Sequence, residues 1–337
     1  MIKPAIKFKI NPKIPKRIKW GVAGDSFQIG ENFLPAFNKV QFGKVTSLFS
    51  NNNTMVKKLA EKFSIANYTD SYEQFLESGI DIIYFTNTNS ENLEMIKKAA
   101  AKGINILCES PIALNIQEAE EIIRVCSESN VRLFVNQAHR LHPLLIKAKE
   151  LIDSNFLGKI ITISVTLNSS ILKNDSEESG ENGIINELGF QAVDMLRYFG
   201  GEISDVKGYI DNFILHSSKE DYSVAVVKFT KVGYGIFSIS AFAKQRINQI
   251  EISGINGTLV IENNLGNKMN SSRLVIDVHK EGKMVFRKRA NKITAMIRSI
   301  HKTLSKNLPP FTSGEEGLKN LIIIEQLKKN LQEKNYV

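Results

Sequence analysis

Hydrophobic positions along this chain follow two different periods. Between Lys19 and about residue 137, short runs that are apolar at nearly every position recur: KWGVAG (19–24), VTSLFS (45–50), DIIYFT (81–86), NILCES (105–110) and RLFVNQ (132–137). Four intervening segments, Thr54–Phe63, Tyr72–Leu76, Leu93–Lys102 and Ile116–Ser127, carry apolar residues at helical spacing. In the last, Ile116, Ala119, Ile122, Ile123 and Cys126 fall on one face. Strands that are apolar on both faces and alternate with helices predict a parallel sheet covered on two sides, a doubly wound α/β domain over 19–137. After a predicted helix at Pro143–Asp153, apolar and polar residues alternate instead, in 160–167, 222–230, 234–242 and 249–254, with Gly233, Gly254 and Gly257 at turns. Residues 138–337 therefore read as an α+β domain on a large, mostly antiparallel open sheet. A helix at about 184–199 interrupts it, and one at about 315–331 closes the chain and is a candidate to pack back on the first domain.

Composition changes this picture little. The chain has 337 residues, 42% hydrophobic and 23% charged, which suits globular domains and not a disordered chain. No run of about 18 apolar residues is present, so no membrane span is expected. Two cysteines, Cys108 and Cys126, exclude a disulfide scaffold, and no Cys/His spacing suits a metal. The net charge is +9, from 44 basic and 35 acidic side chains. Seven of the basic groups (Lys3, Lys7, Lys9, Lys13, Lys16, Arg17 and Lys19) lie at the N-terminus, so the remainder is nearly balanced and no nucleic-acid partner is indicated. Residues 1–18 read as a basic, proline-interrupted arm, lying on the surface or adhering to an anionic partner. No secretory run is evident, which makes the cytoplasm the expected location. The polar stretch 174–183 reads as a loop, and the basic cluster Lys283, Arg287, Lys288, Arg289 and Lys292 as a solvated segment.

The first strand leads into Gly24-Asp25-Ser26-Phe27-Gln28-Ile29-Gly30. A dinucleotide at such a turn needs little side-chain bulk, because backbone N–H groups must approach the pyrophosphate at a helix N-terminus. Gly24 supplies the first glycine of a GxGxxG pattern, Ser26 replaces the second, and the third is displaced to Gly30. The second strand ends in Ser50-Asn51-Asn52-Asn53, with no carboxylate for a ribose 2′-hydroxyl and hydrogen-bonding groups for a 2′-phosphate. The cofactor expected is NADP or NAD, with NADP favoured.

Seven segments in order resemble the glucose–fructose oxidoreductase / inositol dehydrogenase / rhizopine catabolism (Gfo/Idh/MocA) family. They are Thr86-Asn87-Thr88-Asn89-Ser90, Gly103 to Pro111 (GINILCESP), Asn136 to Pro143 (NQAHRLHP), Leu157-Gly158-Lys159, Gly183 to Asp194 (GIINELGFQAVD), Ser253 to Leu259 and Phe311 to Gly317. The resemblance implies a Rossmann domain followed by an open-sheet domain, a nicotinamide cofactor along the strand ends, and a sugar or polyol substrate between the domains. It also implies a homo-oligomer, a dimer or a tetramer. By the same resemblance Gly24, Asp25, Ser26, Phe27, Gln28, Ile29, Ser50, Asn51, Asn52, Thr86, Asn87, Thr88, Asn89, Glu109, Pro111 and Gln137 are candidates for cofactor contact. Arg140, His142 and Asp194 are candidates for substrate contact, and the Ser110–Pro111 bond is a candidate for cis.

The departures concentrate where chemistry is needed. The family moves the proton with a lysine, here Ser110, and a histidine, here Gln191; neither titrates near neutrality. Asn92 stands where many members carry histidine. On the 184–199 helix, Glu187, Gln191, Asp194 and Tyr198 form a polar stripe, either solvated or facing the site. If it faces the site, Glu187 is the best remaining acid/base, with Gln191, Ser110 and Tyr198 as its company. Arg140 suits a carboxylate or phosphate clamp or a plain ion pair, whereas His139 and His142 also suit structural roles. Three functions follow: an NAD(P)-dependent sugar oxidoreductase with an atypical proton relay, a non-catalytic cofactor- or sugar-binding regulatory protein, or an NAD-dependent glycosidase.

Overall fold

The computed structural model describes residues 17–24, 29–88, 90–169, 183–212, 219–241, 248–263, 271–279 and 281–332; the side chains of Asn53, Glu187, Leu331 and Gln332 also lie outside it. Residues 1–16 of the basic arm, the polar loop 174–183 apart from Gly183, Asp25, Ser26, Phe27, Gln28 and Asn89 are thus outside the described residues, while Ile18 at the arm's end already belongs to the first strand. Contacts divide the chain into two compact units. The first comprises residues up to Asn136 together with Ile293–Leu318; the second comprises Gln137–Lys292 and the chain from Lys319 onward.

The first unit alternates β1 (Ile18–Ala23), α1 (Leu34–Phe37), β2 (Gly43–Phe49), α2 (Asn53–Phe63), β3 (Asn67–Thr69), α3 (Tyr72–Leu76), β4 (Ile82–Phe85), α4 (Asn92–Ala101), β5 (Asn105–Cys108), α5 (Ile116–Glu128) and β6 (Leu133–Val135). The strands pair in parallel in the order β3-β2-β1-β4-β5-β6. Every residue of β4 and β6 is buried, as a sheet covered on both faces requires. Helix α5 starts cleanly because Asn115 accepts from Glu118 N at 2.9 Å. Its buried face is Ala119, Ile122, Val125 and Cys126, while Ile116 and Ile123 sit half-buried at its margin.

In the second unit, α6 (Pro143–Asp153) precedes β7 (Ile160–Asn168), α7 (Phe190–Gly200), β8 (Ile203–Asp211), β9 (Tyr222–Phe229), β10 (Tyr234–Ser240), β11 (Asn248–Gly254), β12 (Gly257–Glu262), β13 (Ser272–Val278) and β14 (Gly282–Lys288). The eight strands run in the order β14-β13-β12-β11-β7-β10-β9-β8, antiparallel except for β7 beside β10. Burial alternates along β7, β9 and β10, so one face is core. Helices α8 (Lys292–Lys306) and α9 (Gly314–Gln332) complete the chain.

Two sequence readings change. The cluster 283–292 is no single solvated segment: Lys283, Arg287 and Lys288 are exposed on β14, but Lys292 is partly buried at the start of α8, and burial brings its amine down to about 8. The helix predicted at 184–199 opens as a π-helical turn, Ile185–Gly189, before becoming α-helical. A stripe counted at one uniform helical period therefore does not carry across Gly189. No described helix is long and apolar enough to cross a membrane.

Candidate nucleotide and substrate sites

In the first unit β1 ends at Ala23 and the chain turns at Gly24, whose φ is +121°. A Cβ at Gly24 would lie 2.3 Å from both Thr86 Oγ1 and Asn87 Oδ1, so only glycine fits and the backbone there stays bare. The Thr86 hydroxyl lies 3.3 Å from the Ala23 carbonyl and 3.2 Å from Asn87 Oδ1, which ties the end of β4 to the end of β1. Asn92 is buried and donates to the Asn87 carbonyl at 2.7 Å, so it fixes this turn. Buried Ile29 opens a second π-helical turn, Ile29–Phe33, that leads into α1.

At the end of β2 the Ser50 hydroxyl is buried and accepts from Asn52 N at 3.0 Å, and Asn52 Oδ1 caps α2 by accepting from Met55 N at 3.1 Å. Asn51 is exposed. Beside them a cavity of about 410 Å³ is lined by Gly30, Asn52, Thr54, Lys58 and Lys62 among others. Thr54, Lys58 and Lys62 recur every four residues and so share one face of α2. That spacing was the signal for the two lysines, which the sequence reading passed over.

Three strand ends converge beyond β4, β5 and β6. Glu109 Oε1 accepts from Asn136 Nδ2 at 2.8 Å and from the Tyr84 hydroxyl; Oε2 has a longer contact, 3.4 Å, with Ser110 N. Burial raises the Glu109 carboxyl above its ordinary range, while the two donors pull against the rise. Burial also keeps Tyr84 and Cys108 protonated. Thr88 donates to the Pro111 carbonyl at 2.6 Å, and the Ser110–Pro111 bond is cis. Ser110 is partly exposed. Tyr84 escaped the sequence reading because a tyrosine in an apolar strand looks like core.

In the second unit the polar residues gather on Asp194, which is 0% exposed. Arg140 grips it with Nη2 to Oδ1 at 2.6 Å and Nε to Oδ2 at 2.9 Å. His139 Nε2 meets Oδ2 at 2.9 Å, and Asn320 Nδ2 donates to Oδ1 at 2.9 Å. Burial alone would raise this carboxyl, but the Arg140 charge and the bonds from His139 and Arg140 hold it well below the carboxylate range. Asp194 thus has no edge left for a ligand, which corrects its reading as a substrate contact. Arg197 extends the network, with Nη1 donating to Asn320 Oδ1 at 2.7 Å.

His142 likewise departs from the expected substrate contact. It is 2% exposed and caps α6, its Nδ1 accepting from Leu144 N at 3.2 Å. Burial brings its ring down to about 4. Gln137, expected at the cofactor, is buried at 1% exposure. Gln191 is partly exposed on α7. Arg140 stacks over the Tyr198 ring at 5.3 Å, and burial is the main reason the Tyr198 hydroxyl is pushed up. Glu187 lies in the π-helical turn, with its side chain outside the described residues.

Residues 18–137 match the oxidoreductase family with an NAD-binding Rossmann fold, and residues 145–260 match the GFO/IDH/MocA C-terminal domain. Oxidoreductase P35 of Formosa agariphila is 26% identical over 57% of this chain and 63% of its own length, so this chain spans under two thirds of that relative. Myo-inositol 2-dehydrogenase of Thermotoga maritima is 22% identical over 84% of this chain and 87% of its own. An Agrobacterium radiobacter oxidoreductase solved with NAD+, L-tartaric acid and magnesium superposes with a TM-score of 0.84 at 18% identity, covering 94% of this chain and 97% of that one. A 3-ketoreductase from Actinomadura kijaniata, solved with TDP-benzene and NADP, gives 0.80 at 18% identity over 93% and 98%. At such identities these structures establish likeness of fold.

Proposed function

The chain belongs to the Gfo/Idh/MocA oxidoreductase family, and on that footing we propose that it is an NAD(P)-dependent oxidoreductase acting on a sugar or sugar derivative. The observation that carries the reading is the bare backbone at Gly24, pressed against Thr86 and Asn87 at the carboxyl edge of a parallel sheet. A dinucleotide fits there because pyrophosphate needs close N–H donors and no side-chain bulk. When bound, the nicotinamide supplies or receives hydride at the substrate carbon.

The chain's own residues do the rest. Thr86, Asn87 and Thr88 shape the edge over which the cofactor lies. Ser50, Asn51 and Asn52, with Lys58 and Lys62, offer donors and positive charge to a 2′-phosphate, which supports NADP over NAD. Asp194 holds Arg140 by both its oxygens and so fixes the plane of a guanidinium suited to orienting an oxygen-rich substrate. Glu187 takes the proton role, with Gln191 and Tyr198 orienting the substrate hydroxyl.

Absorbance of NADPH with a panel of aldo- and keto-sugars tests this: oxidation by at least one is expected. Cofactor binding without turnover by any of them counts against it. Ser110 and Gln191 favour one second reading, a binding protein that holds cofactor or sugar without turnover, since neither residue titrates near neutral pH. The double change Ser110→Lys with Gln191→His separates the two. Activity that arises only in the double variant establishes the non-catalytic reading.

A further inference from the structure

The Glu109 cluster does something the hydride reading leaves unused. In the strand order β3-β2-β1-β4-β5-β6, the sheet divides at β1/β4 into two mononucleotide halves. The turn after β1 and the end of β2 serve the half that holds the pyrophosphate and the adenosine ribose. By that rule the ends of β4, β5 and β6 would hold the other half, that of the nicotinamide. Glu109 follows β5, Tyr84 lies in β4, and Asn136 follows β6.

Both donors converge on one oxygen, Oε1, and fix the carboxyl in place. Oε2 has only the long contact, 3.4 Å, with Ser110 N among the described contacts. The titratable groups facing Glu109 are Tyr84 on β4 and Cys108 on β5; burial keeps both neutral, and Asn136 and Ser110 carry no charge. No neighbouring cation pairs with Glu109 among the described contacts, so its protonation decides the local charge. The oxidised nicotinamide ring bears a positive charge and the reduced ring none, so a carboxylate beneath it discriminates between them by Coulomb attraction.

Resting on the dinucleotide reading above, we propose that Glu109, clamped by Tyr84 and Asn136, is a charge switch under the nicotinamide: its carboxylate selects the oxidised cofactor, and its protonated form selects the reduced one. Its raised carboxyl puts the change closer to neutral pH than an ordinary glutamate would. Tyr84 acts as a positioning residue, since its hydroxyl favours the ionised state of Glu109.

The test is the ratio of dissociation constants for NADPH and NADP+, measured by titration calorimetry from acid to neutral pH on the full chain. The 2′-phosphate is common to both forms and cancels; the NADH and NAD+ pair provides a control without it. The expected result is a ratio that falls by roughly ten-fold as the pH drops through the Glu109 midpoint. In Glu109→Gln the ratio should be flat and close to the low-pH value of the parent. In Tyr84→Phe the midpoint should move to higher pH. A flat ratio in the parent overturns the switch, as does a trend that survives Glu109→Gln. Should Glu109→Gln not fold, an unshifted midpoint in Tyr84→Phe overturns it. Failure of all four nucleotides to bind overturns the dinucleotide reading itself, and the switch with it.

Discussion

Acid should unfasten the first unit through a single imidazole. His301 on α8 is 8% exposed, and its Nε2 accepts from the Trp20 indole N–H at 2.9 Å. Its other nitrogen faces the Gln41 backbone carbonyl, and burial brings the ring down to about 4. Protonating Nε2 would set a donor against a donor, so the folded state resists the proton. The unfolded ring titrates near 6.5. Between these values the unfolded state binds more protons, so stability is full above about pH 6.5 and falls as the pH drops. The loss reaches about 2 kcal/mol at pH 5 and tends to about 3.4 kcal/mol once both states are protonated. Trp20 is the protein's only tryptophan and is 0% exposed, so urea unfolding followed by its fluorescence reads this unit directly. His301→Gln keeps an acceptor for the indole without a titrating ring. The parent should lose about 2 kcal/mol more than this variant between pH 7 and 5. Equal losses in the two proteins would refute the reasoning.

Gly43→Ala should destabilise the same unit by about 2 kcal/mol or more, because its Cβ would sit 2.1 Å from His301 Cε1; the urea midpoint checks it. Asp194→Ala should cost about 3–5 kcal/mol, since it removes the buried carboxylate on which Arg140, His139 and Asn320 converge, and circular dichroism on heating should show a correspondingly lower transition. Gly24→Ala should weaken nucleotide binding by about ten-fold or more while Trp20-monitored unfolding changes less, because the added Cβ enters the turn proposed above for the pyrophosphate. Affinity equal to the parent's would remove that turn from the site.

The parallel sheet was legible because short, largely buried runs in β1, β2, β4, β5 and β6 recur with helices between them. Strands β3, β8, β12, β13 and β14 were not read, and in two of them the reason is how little of the strand is buried. Along β8 only Val206 is buried, and β14 presents Lys283, Arg287 and Lys288 to solvent, so neither has an apolar face to read. Helix α8 was hidden by the basic run that precedes it, although Met296, Ile297, Ile300 and Leu304 are buried at helical spacing. In the candidate sites, Glu109 and Arg140 were named from their motifs, but Tyr84, Asn136 and Asn320 gain their meaning from partners 25 to 126 residues away. A local pattern shows that a side chain is polar or half-buried; it does not show which distant side chain meets it. The π-helical turns at Ile29–Phe33 and Ile185–Gly189 escaped for a related reason, since one extra residue per turn leaves no compositional mark.

The return of Ile293–Leu318 to the first unit governs how the protein is born. A ribosome releases the six strands of that unit early, yet Trp20 and Gly43 lack the ring they enclose until His301 emerges. The Val135 carbonyl meanwhile waits for the Thr312 hydroxyl that bonds to it at 2.6 Å. Vectorial synthesis at about 5–20 residues per second leaves the nascent sheet incomplete throughout that interval. Truncation before residue 318 should consequently injure the segment made first, and a fusion partner placed at residue 137 should not rescue it.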